Sequence, residues 1–388
     1  MDASRNTAGV LREAITDRRD EMLVSLAALV DFESPSTDKE RLDQLAAHLA
    51  EVWRDIGASV TIIENSEHGN HVRVVYGGPI ARDGEPRPGL VLGHFDTVWP
   101  VGTTARRPMT TQDGRALGPG VFDMKAGLVI AEYALRGIHD LGLTLPRPIV
   151  LLLNSDEEIG SDTSRALIEE QATRSDYVLV LEPAVPGGAL KTARKGVGDF
   201  TLEVVGRASH SGAAHQEGES AVEELAQQIV RLHRMTNYDV GTTVNVGVIE
   251  GGTRPNVVAA YARARIDVRA WTRQEAGRIT DAIRGLQPVN PATTVTVSGG
   301  FDRLPMERTP GTVRLFEEAR RLGRGLGIDL EERASGGASD GNFTAALGVP
   351  TLDGLGAVGD GSHAEHEYIE VASLPERAAL LALLLCEL

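Results

Sequence analysis

Three short stretches of this chain are apolar from end to end: Leu90–Leu92, Ile149–Leu153 and Tyr177–Leu181. A strand with one face in water alternates polar and apolar residues, so an unbroken apolar run requires cover on both faces. Helical patterns at Lys125–Leu135 and Ser164–Thr173 lie between these runs and supply that cover. Strands alternating with helices in this way predict a largely parallel sheet of the α/β class. Two further β-branched runs, Val60–Ile63 and Val72–Val75, precede them. Residues 21–55 read as helix on either side of a break at Glu33-Ser34-Pro35-Ser36-Thr37.

The pattern changes near residue 195. Asp199–Val205 alternates, with Phe200, Leu202 and Val204 set against Thr201 and Glu203. A helix around Ser220–Met235 follows, then strands at Thr243–Ile249 and Val257–Val268, a helix at Arg273–Leu286 and a strand at Thr294–Ser298. That order predicts a small α+β sandwich with an antiparallel sheet. After Pro305 the α/β style returns, with a helix at Thr312–Leu326, a strand near Val349–Leu352 and a closing helix from Leu374. A chain of 388 residues exceeds what one core usually organises. One domain inserted into another is therefore expected, with 1–194 and 307–388 forming the outer domain and 195–306 the insert.

Charge and cysteine usage narrow the function. Lys and Arg number 39 against 55 Asp and Glu, a net charge of −16. Nucleic-acid binding needs a basic footprint, and this balance argues against it. The single cysteine, Cys386, lies in an apolar run and reads as a buried structural thiol. The opening Met1-Asp2-Ala3-Ser4-Arg5 lacks a basic stretch followed by an apolar segment, and no window approaches a membrane span; a soluble cytoplasmic protein is expected. Asn342-Phe343-Thr344 matches a glycosylation sequon and is read as chance.

Chemistry gathers where the apolar strands end. Leu90–Leu92 runs into Gly93-His94-Phe95-Asp96, a histidine with a carboxylate two residues on. Ligand sites in open α/β sheets sit at the carboxyl ends of strands, and a carboxylate can orient a metal-binding imidazole. A core histidine with a capping aspartate is the plain alternative. Asp123 follows the turn Gly118-Pro119-Gly120 and opens a helix, as an ordinary N-cap also would. Ile149–Leu153 leads into Asp156-Glu157-Glu158, acids that repel one another unless cations or protons intervene; a solvated helix start is the alternative. Glu182 ends the Tyr177–Leu181 run. The loop Gly359–Tyr368 carries His363 and His366, either of which can be a surface histidine. Together, these histidines and carboxylates make a mixed N/O set that suits Zn2+, Co2+ or Mn2+.

In combination these segments resemble the M20 family of metallopeptidases, and within it the glutamate carboxypeptidase (carboxypeptidase G2-like) branch, over essentially the whole chain. The resemblance implies a zinc-exopeptidase-like catalytic domain with a mostly parallel central sheet and an inserted ferredoxin-like lid and dimerisation domain. It implies two Zn2+ per subunit, with Co2+ or Mn2+ possible: one held by His94, Glu182 and Asp123, the other by Glu158, His363 and Asp123. His366 competes for the last place. Asp96 supports His94, and the Asp123–Met124 peptide is expected cis. Glu157 would be the general base acting on a water shared by the metals. His210, in Ala208-Ser209-His210-Ser211-Gly212, would donate to the tetrahedral oxyanion across a homodimer, although the same histidine also reads as bonding its own Gly-rich turn.

Substrate contacts follow from the same resemblance. Asn256 matches a substrate-contacting residue. Arg269 matches a carboxylate-binding arginine, suited to two parallel hydrogen bonds, and otherwise reads as a surface ion pair. Gly336 and Gly337 match the glycine loop beside the substrate carboxylate. The stretch Ala184–Arg194 does not align with the glutamate-recognising loop without a gap, so Lys191, Arg194 and Lys195 remain alternative basic groups. The implied reaction is amide hydrolysis releasing a C-terminal amino acid, glutamate by branch, from an N-acyl or aroyl conjugate such as folate. An N-acyl amino acid deacylase of the acetylornithine or succinyl-diaminopimelate type, and a non-catalytic binding protein on the same fold, are the rivals. An aminopeptidase would need acids to receive an ammonium, and Arg269 argues against it. His48, His68, His71, His139 and His233 read as structural.

Overall fold

The computed structural model describes residues 2–79 and 86–388, with side chains from Ala8 onward, so Met1 of the segment read against a leader lies outside them. The chain divides into two compact units, 1–192 with 308–334 and 339–388, and 193–307 with 335–338.

The first unit is built on a six-stranded sheet in the order Ser59–Ile63, His71–Tyr76, Ile149–Asn154, Gly89–His94, Tyr177–Val180, Thr351–Leu352. The last four run parallel, while the first two pair antiparallel and form an edge. The apolar runs are buried on both faces, as their composition requires. Val91, Leu151, Leu153 and Leu179 point into a core with the helices Ala126–Asp140 and Ser373–Glu387. Leu90, Leu92, Val150, Leu152, Val178 and Val180 point the other way, onto Ile168, Ala172 and Phe343.

The parallel register determines where chemistry can collect. His94 lies opposite Asn154, and Leu92 opposite Val180, so the chain segments leading to His94, to Glu157 and Glu158, and to Glu182 leave the sheet at the same edge. Two glycines permit the close packing there. A Cβ at Gly127 or Gly356 would strike the Leu181 carbonyl just before Glu182. A small sheet of Gly359–Asp360, Tyr368–Glu370, Arg115–Leu117 and Thr110–Gln112 sets the His363 loop beside the turn that carries Asp123.

The second unit is an antiparallel sheet in the order Thr243–Gly251, Tyr261–Ala270, Gly196–Val205, Thr294–Arg303. Helices Ala221–His233 and Arg273–Arg284 cover one face, where Phe200, Leu202, Val204 and Ile266 meet Leu225, Leu232, Ile279 and Ile283. The other face carries exposed ion pairs, Arg265 with Asp199 and Arg263 with Glu250.

Some local expectations change. The helix Asp2–Thr16 was not anticipated. The strand expected from Val257 begins at Tyr261, because Val257 N–H bonds Arg254 O and Val258 N–H bonds Ser209 O, so residues before Tyr261 serve the His210 loop. His139 lies inside the last turn of its helix. Cys386 is half-buried and packs against the core, and burial pushes its thiol up to about 11. Asn342 is fully buried, which rules out a sugar there. Among the described residues no helix is long and apolar enough to cross a membrane.

Candidate metal centre

Asp123 stands at the middle of the site. Its Oδ1 lies 3.3 Å from His94 Nε2 and its Oδ2 3.5 Å from His363 Nε2. Each histidine has a second carboxylate beside it: Glu182 Oε1 is 3.4 Å from His94 Nε2, and Glu158 Oε2 is 3.0 Å from His363 Nε2. The ligand atoms of His94, Asp123 and Glu158 fall within 4.8 Å of one another, and so do those of His94, Glu157 and Glu182. His366 is exposed, and it is His363 that stands beside Glu158 and Asp123.

Local backbone explains how the residues arrive there. Asp123 leaves helical geometry (φ −114°, ψ 95°) just ahead of the helix Ala126–Asp140, and the Asp123–Met124 peptide is cis. His363 sits in the left-handed region at φ 62°, which costs a residue with a Cβ. Lys125, fully buried, anchors the turn by donating from Nζ to Leu29 O and Phe32 O at 2.9 and 2.7 Å.

Asp96 does more than support His94. His94 Nδ1 lies 3.1 Å from Asp96 O and 3.3 Å from its Oδ1, an arrangement that keeps a proton on Nδ1 and leaves Nε2 as the ligand nitrogen. The same carboxylate accepts from Glu157 N–H at 3.2 Å, Glu158 N–H at 3.1 Å and Ser36 Oγ at 2.7 Å. One buried aspartate thus sets the histidine and both glutamates in register.

A second polar layer lies beneath the glutamates; it joins Asp156, one of the three consecutive acids, to His71, which reads from sequence as structural. Asp156 accepts from Thr163 N–H and Oγ1 and from Ser164 Oγ, while His71 bridges Ser155 and Thr163. Burial lowers the His71 pKa despite the nearby aspartates, so the ring is a neutral hydrogen-bond relay. Asp340 accepts from Ser161 Oγ and Asn154 Nδ2.

The electrostatics are those of a cation site. Burial pushes the His94 pKa down, but contacts with Asp123, Asp96 and Glu182 overcome this and raise it well above the ordinary value. Asp123 is held far below the usual carboxylate range, because His363 and His94 outweigh its desolvation. Burial raises Glu158, with the Asp123 charge adding to it. Asp123 and Glu158 together lift His363 to about 10. His94 Nε2 is buried and has no hydrogen-bond partner among the described residues, although two carboxylates lie within 3.4 Å. A ring nitrogen flanked by carboxylates but bonded to none fits a metal ligand set of N and O donors.

Apart from Lys191, the remaining residues singled out from sequence as substrate or oxyanion contacts lie in the second unit. His210 Nδ1 accepts from Gly212 N–H and Ala213 N–H, both at 3.1 Å. Asn256 is exposed, with its carbonyl bonded by Ser211 N–H. Arg269 is paired through Nε and Nη2 with Asp267. Gly336 and Gly337 are exposed; Gly337 N–H bonds Ser335 Oγ and its carbonyl accepts from Arg194. Lys195 stacks over Trp271. Lys191 belongs to the first unit, buried with its Nζ 3.9 Å from Glu182 Oε2.

The chain as a whole is similar to known peptidases. The profile of peptidase family M20/M25/M40 matches residues 90–387. Carboxypeptidase G2 of Pseudomonas sp. (strain RS-16) is 30% identical, covering 98% of this chain and 92% of that protein. Among solved structures, aminopeptidase PepT from Bacillus cereus superposes with a TM-score of 0.79 at 22% identity, over 95% of this chain and 98% of that one. An M20-family metallo-carboxypeptidase from Sulfolobus solfataricus, Sso-CP2, gives a TM-score of 0.68 at 18% identity, over 94% and 98%.

Replacing Asp96 by Ala strips an acceptor from two backbone N–H groups and the Ser36 hydroxyl. Each buried donor left unsatisfied costs about 1–3 kcal/mol, so chemical denaturation of Asp96→Ala should reveal a loss of several kcal/mol. A change below about 0.5 kcal/mol, typical of a neutral surface site, would remove Asp96 from this role.

Proposed function

Because the chain belongs to the M20/M25/M40 family of peptidases, we propose that it is a metal-dependent hydrolase with two divalent cations per subunit, cleaving an amide bond to release a C-terminal amino acid. The observation that supports this most directly is Asp123, one carboxylate with an oxygen toward each of two histidines. His94, Glu182 and Asp123 would hold one ion, and His363, Glu158 and Asp123 the other. Zn2+ suits this set, as do Co2+ and Mn2+. Cations bound there would supply Lewis-acid polarisation of a carbonyl and lower the pKa of a bound water.

The residues of the chain divide the remaining work. Glu157, adjacent in sequence to a proposed ligand and held through its N–H by Asp96, takes the nucleophile's proton and hands it to the departing amine. His210 accepts on Nδ1 from two backbone N–H groups, so its neutral ring carries the proton on Nε2 and is a donor suited to a developing oxyanion. Arg269, its guanidinium plane fixed by Asp267, takes the substrate carboxylate, with Asn256 and the backbone of Gly336 and Gly337 as further contacts. The motif resemblance to the glutamate carboxypeptidase branch favours glutamate as the released residue, from an N-acyl or aroyl conjugate such as folate.

The inserted unit acts as lid and dimerisation element in this reading. Its strand Thr243–Gly251 is an edge of the sheet, with Val248 48% and Ile249 58% exposed, and the helix Ala221–His233 leaves Val222 and Val230 exposed. An edge strand with apolar side chains invites pairing, here with a second copy. His210 then serves the partner's metal centre.

Three measurements test these roles. Glu157→Gln should lose nearly all release of glutamate from folyl and N-aroyl glutamates while metal analysis still finds two ions per chain; turnover like the parent's would refute the base. Parent activity on N-acetylornithine in preference to those conjugates would move the substrate class to deacylation. Mixing Glu157→Gln with His210→Ala subunits should recover part of the activity, since one shared site then has both groups intact. Absence of recovery counts against a histidine donated between subunits.

A further inference from the structure

Glu367 lies in the same loop as His363, in the His-x-x-x-Glu-Tyr stretch whose family resemblance gives the histidine a ligand role and this carboxylate none. The side chain is buried at 1% exposure. Its Oε1 accepts from Phe122 N–H at 2.9 Å and Asp123 N–H at 3.0 Å, and its Oε2 from Gly120 N–H at 2.8 Å and Trp99 Nε1 at 2.9 Å. Backbone N–H groups converging on one anion form a nest, which orients a turn by charge as well as by hydrogen bonding. Here the nest is the turn that presents Asp123. Trp99 in turn lies under the Arg107 guanidinium, 4.5 Å from the ring centre, so the fourth donor is itself held.

The anion comes from the far end of the His363 loop. That loop closes on itself through Ala364 N–H to Gly361 O at 2.9 Å and Glu367 N–H to Ala364 O at 3.0 Å. His363 and the carboxylate that grips the Asp123 turn are therefore parts of one short, internally bonded segment. No other residue described at the site bonds the backbone of Gly120, Phe122 and Asp123 together.

We propose that Glu367 is a positioning residue, clamping the Asp123 turn to the His363 loop so that the two histidine–carboxylate pairs share one bridging carboxylate. The inference rests on the dinuclear reading of the site. It assigns Glu367 no contact with substrate and no ligand role. Its carboxylate is fully occupied by the turn and the Trp99 indole.

The test uses Glu367→Gln in the full chain. Glutamine keeps the shape but offers one acceptor oxygen, and its NH2 meets two of the N–H donors head-on. In metal-free protein, amide hydrogen exchange over residues 118–125 should quicken by about tenfold or more while the core strands keep their protection. In metal titration, binding of Zn2+ should weaken by about 10–100-fold, the range typical for loss of a group that orients ligands. In the loaded enzyme kcat should fall with KM little changed. Trp99→Phe, which removes a single donor and leaves the three backbone bonds, should keep metal affinity near the parent's. If Glu367→Gln does not fold, Glu367→Asp keeps the charge with a shorter reach and carries the same expectations.

Exchange at 118–125 and Zn2+ affinity both equal to the parent's would overturn the proposal. A parent chain that takes up no divalent metal would instead overturn the dinuclear reading, and the exchange measurement on metal-free protein would still decide whether Glu367 holds the turn.

Discussion

Repulsion among crowded carboxylates is the constraint around which the first unit is organised. Asp96, Asp123, Glu157, Glu158 and Glu182 gather at one edge of a sheet whose three central strands are apolar almost to their ends. Buried anions at such separations are tolerated only beside cations or strong donors. In the protein alone, the carboxylates around His94 and His363 pull both rings above their ordinary pKa and so favour protons there. A divalent ion at each histidine would answer the carboxylate charge more completely, and would take the place of those protons.

The arrangement persists because a shell of hydrogen bonds holds each acid from behind. Asp96 binds the N–H groups of Glu157 and Glu158 and faces His94. Asp156 is closed by Thr163 and Ser164, and Lys125 ties the Asp123 turn to the carbonyls of Leu29 and Phe32. The parallel register sets these segments at one edge, and the shell converts that coarse placement into contacts of 3.0–3.5 Å. Gly127 and Gly356 contribute by having no side chain, letting helix and loop close on the strand before Glu182.

Much of this could be read from the chain by eye. His94, Glu158 and Glu182 were legible because each follows an unbroken apolar strand, where a polar residue has little reason to be unless the strand ends in a crevice. Asp123 and His363 were legible only in combination with them and through family resemblance, since a Gly/Pro turn and a Gly-rich loop explain each residue alone. The role of Glu367 was not legible: apart from the Trp99 indole, its partners are backbone N–H groups some 245 residues away, and backbone donors leave no trace in side-chain patterns. The contacts of His71 were missed for a related reason, because a histidine at the head of a strand looks the same whether it is exposed or sealed. The antiparallel edge at 59–76 escaped because short β-branched runs state no direction.

The central claim is that two cations share Asp123. Crystals grown with Zn2+ and measured at the zinc absorption edge test it most directly, through the anomalous difference map. The account predicts two peaks in each chain, one against His94 and Glu182, the other against His363 and Glu158, with an Asp123 oxygen reaching each. A single peak, or peaks that leave Asp123 uncoordinated, would contradict it.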